Sequence, residues 1–199
     1  MDNAVLIIFI KNPERGKVKT RLAQSVGEDK ALQIYQALLA HTRQTALALP
    51  LQRQLFYSSF LPPQDDWPTT HFQKFVQQGD SLGQRMQQAF AQANEQFNKM
   101  VIIGSDCPTL TPAILQSAFD QLDQHPFVLG PAEDGGYYLL GMREYQANLF
   151  ENIEWSTSTV FQRTCEQIEA LGASYALLPT LSDVDYLSDW EQHGWALED

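Results

Sequence analysis

Short apolar runs alternate along the chain with longer stretches in which apolar residues recur every three or four positions. The short runs predict buried strands, and the periodic stretches predict helices that bury one face. The predicted strands cover residues 5–10, 54–57, 72–76, 100–103, 127–129, 137–140 and 175–178. One predicted helix begins near residue 27, and three more run over 81–97, 111–122 and 156–171. A short helix is predicted for the last residues.

This alternation predicts an α/β fold, with a mostly parallel, mixed sheet sandwiched between two layers of helices. No internal repeat and no shift in composition marks a boundary, so one domain is expected over residues 1–199. In open sheets of this kind, ligands bind outside the carboxyl ends of the strands. The segment that follows each predicted strand is therefore where functional residues are expected.

Composition and charge exclude several classes of protein. The chain has 13 basic and 24 acidic residues, a net charge of −11, which argues against a general affinity for nucleic acid or anionic membranes. Its longest wholly apolar run, residues 4–10, is far shorter than the ~20 residues that span a bilayer. Cys107 and Cys165 are too few for a disulfide framework or a zinc cage. We therefore expect a cytoplasmic globular protein without a membrane span or a nucleic-acid partner.

Positive charge is concentrated in the loop after the first predicted strand. Residues 11–21 hold five of the thirteen basic residues and one acid, Glu14. Because guanidinium and ammonium groups bind phosphate oxygens, this concentration predicts a substrate that carries phosphate. Arg15 and Lys17 are expected to lie mostly in solvent. The expected phosphate ligands are Lys19 and Arg21, with Lys11 beside them. An exposed loop whose lysines only aid solubility is the alternative.

The segment from Gln78 to Gly83 closes one predicted strand and opens a helix. Glycine lets a ligand approach the backbone, and the start of a helix offers free N–H groups. A glutamine amide both donates and accepts hydrogen bonds, which suits the edge of a nucleobase. A simple strand-to-helix turn explains the same pattern.

Four acids follow predicted strands or lie in extended segments. Asp106, directly after the run 100–103, is a candidate ligand for Mg²⁺ or Mn²⁺, although it would also suit a turn. Asp134, before two glycines, is a candidate contact to a substrate hydroxyl or amine, and a plain hairpin turn is the alternative. Asp183 and Asp185 share one face of an extended segment, so either could complete a metal site with Asp106; a solvated turn is the alternative.

In their order along the chain, these segments resemble the nucleotide-diphospho-sugar transferase superfamily, which has the GT-A type fold. Within it, the chain is similar to the glycosyltransferase-like family of radical-SAM/selenodomain-associated transferases. The matching segments are Lys19–Leu22, Gln78–Gly83, Gly104–Leu110, Gly130–Gly141, Trp155–Thr157 and Asp183–Asp185. The chain departs from that family after Asp185, where Tyr186 and Leu187 replace the usual Thr-Pro.

The resemblance implies a metal-dependent transferase that uses a nucleotide-containing donor. It places Mg²⁺ or Mn²⁺ on Asp106 and Asp185, and the catalytic machinery on Asp106, Asp134, Lys19 and Arg21. The implied nucleotide contacts are Lys11, Lys19, Thr20, Arg21, Gln78, Gly83 and Ser105. The implied contacts to the rest of the substrate are Asp134, Gly135, Gly136, Trp155, Ser156 and Thr157.

Three functions stay open on these grounds. The family favours glycosyl transfer from a nucleotide-diphospho-sugar. The basic loop favours transfer of a nucleotide, guanylyl or other, to a phosphorylated small molecule with release of pyrophosphate. The third function, nucleotide binding without turnover, is disfavoured by the joint presence of Asp106, Asp134 and Asp185. The acceptor, the base and the oligomeric state are not indicated.

Overall fold

The first apolar run forms an interior strand of the sheet, and its side chains are buried on both faces. In the computed structural model, which describes residues 3–197, seven strands form one sheet. The remaining residues of the predicted domain, 1–2 and 198–199, lie outside the described part. The strands are β1 (Ala4–Ile10), β2 (Gln52–Tyr57), β3 (Gln73–Val76), β4 (Lys99–Ile103), β5 (Phe127–Pro131), β6 (Tyr137–Met142) and β7 (Tyr175–Leu177).

The sheet order is β3-β2-β1-β4-β6-β5-β7. Strands β1 to β4 are parallel, β7 is parallel to β5, and β6 alone runs against its neighbours β4 and β5. The mostly parallel, mixed sheet predicted from the sequence is therefore confirmed. The predicted strands agree with the observed ones to within two residues at each end.

The helices are α1 (Thr20–Val26), α2 (Glu28–Leu47), α3 (Leu82–Asn94), α4 (Pro112–Gln121), α5 (Val160–Ala170) and α6 (Leu187–His193), with a 3-10 turn at Ala147–Phe150. Ser81 caps α3 and Thr111 caps α4 through their side-chain oxygens, as their positions predict. Among residues 3–197, no helix is both long and apolar enough to cross a membrane.

Two features of the helices differ from the prediction. The predicted helix at residue 156 begins only at Val160, because Ser156 has a φ of 65°, in the left-handed region that helices exclude. Helix α1 was not predicted, since Leu22 is its only buried residue and seven residues show no periodicity. The segment from Trp155 to Thr157 is consequently a loop.

Alternate residues of β1 pack on opposite faces of the sheet. Leu6 and Ile8 pack in the cluster that includes residues of α2 and α4, whereas Val5 and Ile7 pack with residues of α3 and α5. Burial on both faces explains why the strand is a continuous apolar run.

The end of the chain returns to the sheet beside α1 and α2. Val184 is fully buried in a small cluster with Leu22, Ile34 and Leu38. Its N–H donates to the carbonyl of Asp106 at 2.9 Å. This contact brings the segment that carries Asp183 and Asp185 to the carboxyl end of β4.

Candidate functional site

A cleft of about 670 Å³ opens where β1 and β4 end and β6 begins, the edge at which the topology predicts a ligand. Its volume is typical of a small-molecule site. The predicted site residues that line it are Lys11, Lys19, Thr20, Arg21, Asp106, Asp134, Gly136, Trp155, Ser156, Thr157 and Asp185.

Lys19 lies at the centre of the charged part of this cleft. Its Nζ is 3.1 Å from Oδ1 of Asp106 and 3.7 Å from Oδ1 of Asp185, and its side chain is only 5% exposed. The backbone of Lys19 is left-handed, with φ 47° and ψ 45°, and it leads into α1. Val18 and Leu22 are both buried, so the backbone around Lys19 is held on both sides.

Arg21 lies nearer to solvent. Its guanidinium is 2.9 Å from Oδ2 of Asp185 and 5.8 Å from the ring centre of Tyr186. Its side chain is 63% exposed, and exposed ion pairs contribute at most about 1 kcal/mol. A phosphate group can therefore replace Asp185 as the partner of Arg21 with little loss.

The other basic residues of the loop differ in their surroundings. Arg15 and Lys17 are exposed, as expected, and pair with acids of the surface: Arg15 with Glu28 and Asp29, and Lys17 with Glu14. The guanidinium of Arg15 lowers the pKa of the Asp29 carboxyl. Lys11 is exposed, lines the cleft and forms no ion pair with any residue in the range 3–197.

Asp183 is a half-buried acid of the cleft. Burial and then the charge of Asp106 raise the pKa of its carboxyl from 3.8 to about 7, with Lys19 acting in the opposite direction. A carboxylate in this setting is stabilised by a nearby cation. Within residues 3–197, no group of three or more His, Cys, Asp or Glu side chains is arranged to hold a metal ion.

Aromatic and aliphatic side chains also line the cleft. Phe9, Leu82, Met86, Tyr137 and Trp155 contribute to its lining. Leu82 is exposed at the rim, although it begins a helix whose other apolar side chains are mostly buried. Phe9, Met86, Tyr137 and Trp155 pack with residues of α3 and α5, whereas Val18, Leu22 and Val184, which flank Lys19 and Asp185 closely in sequence, pack with residues of α2. The apolar and the charged residues of the cleft therefore come from opposite faces of the sheet.

Gly83 does not line the cleft; it lies beneath Trp155. A Cβ at position 83 would be 2.1 Å from Nε1 of Trp155. The indole also stacks on Phe150, with 6.4 Å between ring centres. The packing of Trp155 therefore requires glycine at position 83. A glycine in direct contact with a base would look the same in the sequence, so the sequence alone did not distinguish the two roles.

Gln78 also lies outside the cleft. Its exposed amide donates to the carbonyl of Val76 at 3.4 Å. The preceding residue, Gln77, is half-buried and donates to the carbonyls of Ile10 and Phe56 at 3.3 and 3.1 Å. Successive residues of an extended chain point to opposite sides, so only one of the two glutamines can face the sheet.

The turn between β5 and β6 brings one predicted residue to the cleft and holds another behind it. Oδ1 of Asp134 accepts from the N–H of Gly136 at 2.8 Å, as in the turn that was the alternative to a substrate contact. Both residues nevertheless line the cleft. Gly135, with φ 88°, lies against the backbone of Ser158, where a Cβ would be 2.1 Å from the carbonyl oxygen. Gly135 thus allows the turn to pack against the loop before α5.

Tyr35 is a positioning residue that sequence reasoning missed. Its Oη accepts from the N–H of Lys11 at 2.8 Å, donates to the Lys11 carbonyl at 3.1 Å and lies 3.4 Å from Oγ of Ser105. Ser105 is buried and is not part of the cleft lining. Tyr35 thus joins the loops after β1 and β4. Its place on the apolar face of α2 indicated core packing alone.

Asn12 fixes the same loop from the other side. It is buried, and its Nδ2 donates to the carbonyl of Phe60 at 2.9 Å, while its Oδ1 accepts from the N–H of Ser59 at 3.0 Å. In sequence, an asparagine before a proline indicates only a turn.

Asp189 binds the backbone at the point where the sequence departs from the family pattern. Its Oδ2 accepts from the N–H groups of Asp185 and Tyr186 at 2.9 and 2.7 Å. The backbone that carries Asp185 is therefore fixed by a side chain from the first turn of α6.

Residues 37–157 match the model of the family described as an uncharacterized protein conserved in bacteria, DUF2064. A crystal structure from Desulfovibrio desulfuricans G20, assigned as a nucleotide-diphospho-sugar transferase, is 33% identical, with a TM-score of 0.85 over 94% of this chain and 84% of that one. This similarity confirms the superfamily that the ordered motifs indicated.

More distant structures share the fold alone. The inositol-1-phosphate CTP transferase of T. maritima is 12% identical, with a TM-score of 0.63 over 93% of this chain and 90% of its own. Rv0371c of Mycobacterium tuberculosis H37Rv, determined in complex with manganese, is 13% identical, with a TM-score of 0.54 over 96% and 97%. No curated protein matches the sequence.

Proposed function

The chain belongs to the DUF2064 family and has the fold of the nucleotide-diphospho-sugar transferases, and from this premise we propose that it is a metal-dependent glycosyltransferase with a nucleotide-diphospho-sugar as donor. The observation that carries the proposal is that one cleft is lined by ion-paired side chains and, from the face of the sheet that holds α3 and α5, by apolar ones. A nucleotide-sugar has the matching division, because its base is planar and its diphosphate is charged.

The base would lie on the apolar side, against Phe9, Leu82 and Trp155. The proposed base contacts move here from Gln78 and Gly83, which lie outside the cleft. The diphosphate would then extend towards Lys11 and Arg21. The ammonium group of Lys11 and the guanidinium group of Arg21 are suited to its oxygens.

The sugar would face Asp134, Gly136 and Ser156. The carboxylate of Asp134 can accept hydrogen bonds from sugar hydroxyl groups, and the lack of a side chain at Gly136 leaves room beside it. Ser156 is exposed at the same part of the cleft and adds a hydroxyl group. The protein would position donor and acceptor for direct displacement, for which no covalent nucleophile is needed.

Asp106 and Asp185 fit a divalent cation. Their oxygens are hard ligands, and the two side chains already share one cation, the ammonium of Lys19. Mg²⁺ is commonly held by one or two carboxylates together with phosphate oxygens of the substrate. Asp106 and Asp185 would therefore be enough protein ligands when the diphosphate of the donor is bound. When bound, the ion would neutralise charge on the leaving diphosphate. The manganese in the Rv0371c structure supports the same choice.

Nucleotidyl transfer with release of pyrophosphate is the second candidate, favoured by the number of cations in the loop. In the structure, Arg15 lies outside the cleft and pairs with Glu28 and Asp29, and Lys17, which contributes to the lining, is already paired with Glu14. The three remaining cations of the loop, Lys11, Lys19 and Arg21, line the cleft and suffice for a diphosphate. This distribution supports glycosyl transfer over nucleotidyl transfer.

The proposal is tested by thermal unfolding with nucleotide-sugars, with and without Mn²⁺. At saturating donor, we expect Mn²⁺-dependent binding to raise the Tm by roughly 5–10 °C, because binding at 100 times the Kd contributes about 2.7 kcal/mol. Asp106→Asn should abolish the Mn²⁺-dependent part of the shift. Asp66→Asn, a change at an acid that is 88% exposed and outside the cleft, is the matched control. An undiminished shift in Asp106→Asn would show that Asp106 is not a metal ligand.

A further inference from the structure

Lys19 occupies the space between the two carboxylates that the proposed metal ion needs. We propose that Lys19 is a positioning residue that keeps the metal site closed in the free protein and opens it when phosphate arrives. Its ammonium neutralises Asp106 and Asp185 until the diphosphate of the donor draws it away. This inference rests on the proposed function.

The surroundings of Lys19 distinguish it from the other cations of the loop. At 5% exposure it is nearly enclosed, whereas the side chain of Arg21 is 63% exposed. Its Nζ lies 3.1 and 3.7 Å from one oxygen each of Asp106 and Asp185. An enclosed ammonium cannot leave its carboxylates unless another anion replaces them, because an unpaired buried charge is strongly unfavourable.

A divalent ion and this ammonium exclude one another. A metal bound to Oδ1 of Asp106 would lie a few ångströms from Nζ, where two positive charges repel strongly in a partly dry cleft. Metal entry therefore requires Lys19 to move. The phosphate of a donor in the same cleft is the anion that would receive it, since Lys19 is itself part of the lining.

The movement needs only side-chain rotation. The backbone at Lys19 is held by the buried Val18 and Leu22, and its carbonyl accepts from the N–H of Ala23 at 2.8 Å. The four-carbon stem of lysine has rotatable bonds throughout. Lys19 can therefore exchange carboxylate for phosphate while α1 stays in place.

The consequence is measurable without any turnover. Wild-type protein should bind Mn²⁺ alone weakly, because Lys19 competes for both carboxylates. Lys19→Gln should bind Mn²⁺ alone about tenfold more tightly, within the usual range of coupling between sites. Lys17→Gln removes the same charge from the same loop, at a side chain that is 69% exposed and paired with Glu14, and should change the affinity less than about twofold.

Electron paramagnetic resonance of free Mn²⁺ measures these affinities directly, first without nucleotide and then with each common nucleoside diphosphate. Lys19→Arg restores the charge and should bind Mn²⁺ alone as weakly as wild type. The double variant Lys19→Gln, Asp106→Asn should lose the gain in Mn²⁺ affinity, because it lacks one of the two carboxylates. Circular dichroism and thermal unfolding of each variant establish that it is folded before titration.

Two results would overturn the inference, and they are distinguishable. Equal Mn²⁺ affinity in wild type, Lys17→Gln and Lys19→Gln, with tighter binding when nucleotide is present, overturns the role of Lys19 and leaves the proposed metal site standing. No Mn²⁺ binding in any variant, even with nucleotide, overturns the metal site and the inference together.

Discussion

Asp183 is an acid of the cleft whose pKa is raised by burial and by the negative charge of neighbouring carboxylates. It is half-buried, and after burial itself the nearest charges that act on it are those of Asp106, Lys19, Asp134 and Asp185. Its pKa of about 7 lies above the ordinary carboxyl value of 3.8. Between these values, the folded protein keeps a proton that the unfolded chain has released.

This difference predicts that the free energy of unfolding falls as the pH rises towards 7. One linked proton limits the slope to about 1.4 kcal/mol per pH unit, and the slope flattens above the pKa of the folded state. Asp183→Asn removes the titrating group, so its stability should change less over the same interval. Urea unfolding of both proteins between about pH 5 and 8, in the presence of a chelator, measures the two slopes. An equal pH dependence of the free energy of unfolding in the two proteins would contradict the raised pKa of Asp183.

At the scale of the elements, the loop before α5 is held on the first turn of α3 by the contact between Trp155 and Gly83. The loop also contains Asn152 and Ser156, whose φ values of 55° and 65° are unusual for residues other than glycine. The indole contributes to the apolar lining of the cleft. The contact thus connects the packing of two elements to the shape of the cleft.

Gly83→Ala should displace Trp155, because the new Cβ would lie 2.1 Å from Nε1 of the indole. Overpacking of this kind costs about 1–3 kcal/mol, and tryptophan fluorescence should change with it. Gly104→Ala is the matched control, since a Cβ there meets no atom within 4 Å.

In a Trp155→Ala background, the clash is absent, and Gly83→Ala should be neutral or slightly stabilising, as expected for alanine in a helix. Chemical unfolding of the four proteins of this cycle gives the coupling between the two positions. If Gly83→Ala changes the free energy of unfolding equally in both backgrounds, the position of the indole does not depend on glycine at position 83.

The elements that could be predicted are those with strong local signals. Continuous apolar runs located β1, β4, β5, β6 and β7, and Ser81 and Thr111 located two helix starts. The start of α5 could not be predicted, because the left-handed backbone at Ser156 depends on tertiary packing. For the candidate site, acids and cations after strands were found from topology. Tyr35, which acts through contacts with residues distant in sequence, was not.

At the scale of the molecule, the sheet brings together segments that are far apart in the chain. The basic loop, Asp106, Asp134, Trp155 and Asp185 span most of the sequence and line one cleft. In a protein of net charge −11, four cations of one loop line this cleft beside four acids. Such a balance suits an anionic donor bound together with a cation, which is the central claim of the proposed function.

The measurement that tests this claim most directly is identification of the phosphate product. The protein would be incubated with Mg²⁺ and nucleotide-diphospho-sugars, and separately with nucleoside triphosphates and sugar phosphates, and followed by ³¹P NMR. Water can serve as a slow acceptor, so we expect release of nucleoside diphosphate from a nucleotide-sugar, absent in Asp106→Asn, and no pyrophosphate in the second mixture. Sustained release of pyrophosphate that depends on a sugar phosphate would contradict glycosyl transfer and establish nucleotidyl transfer instead.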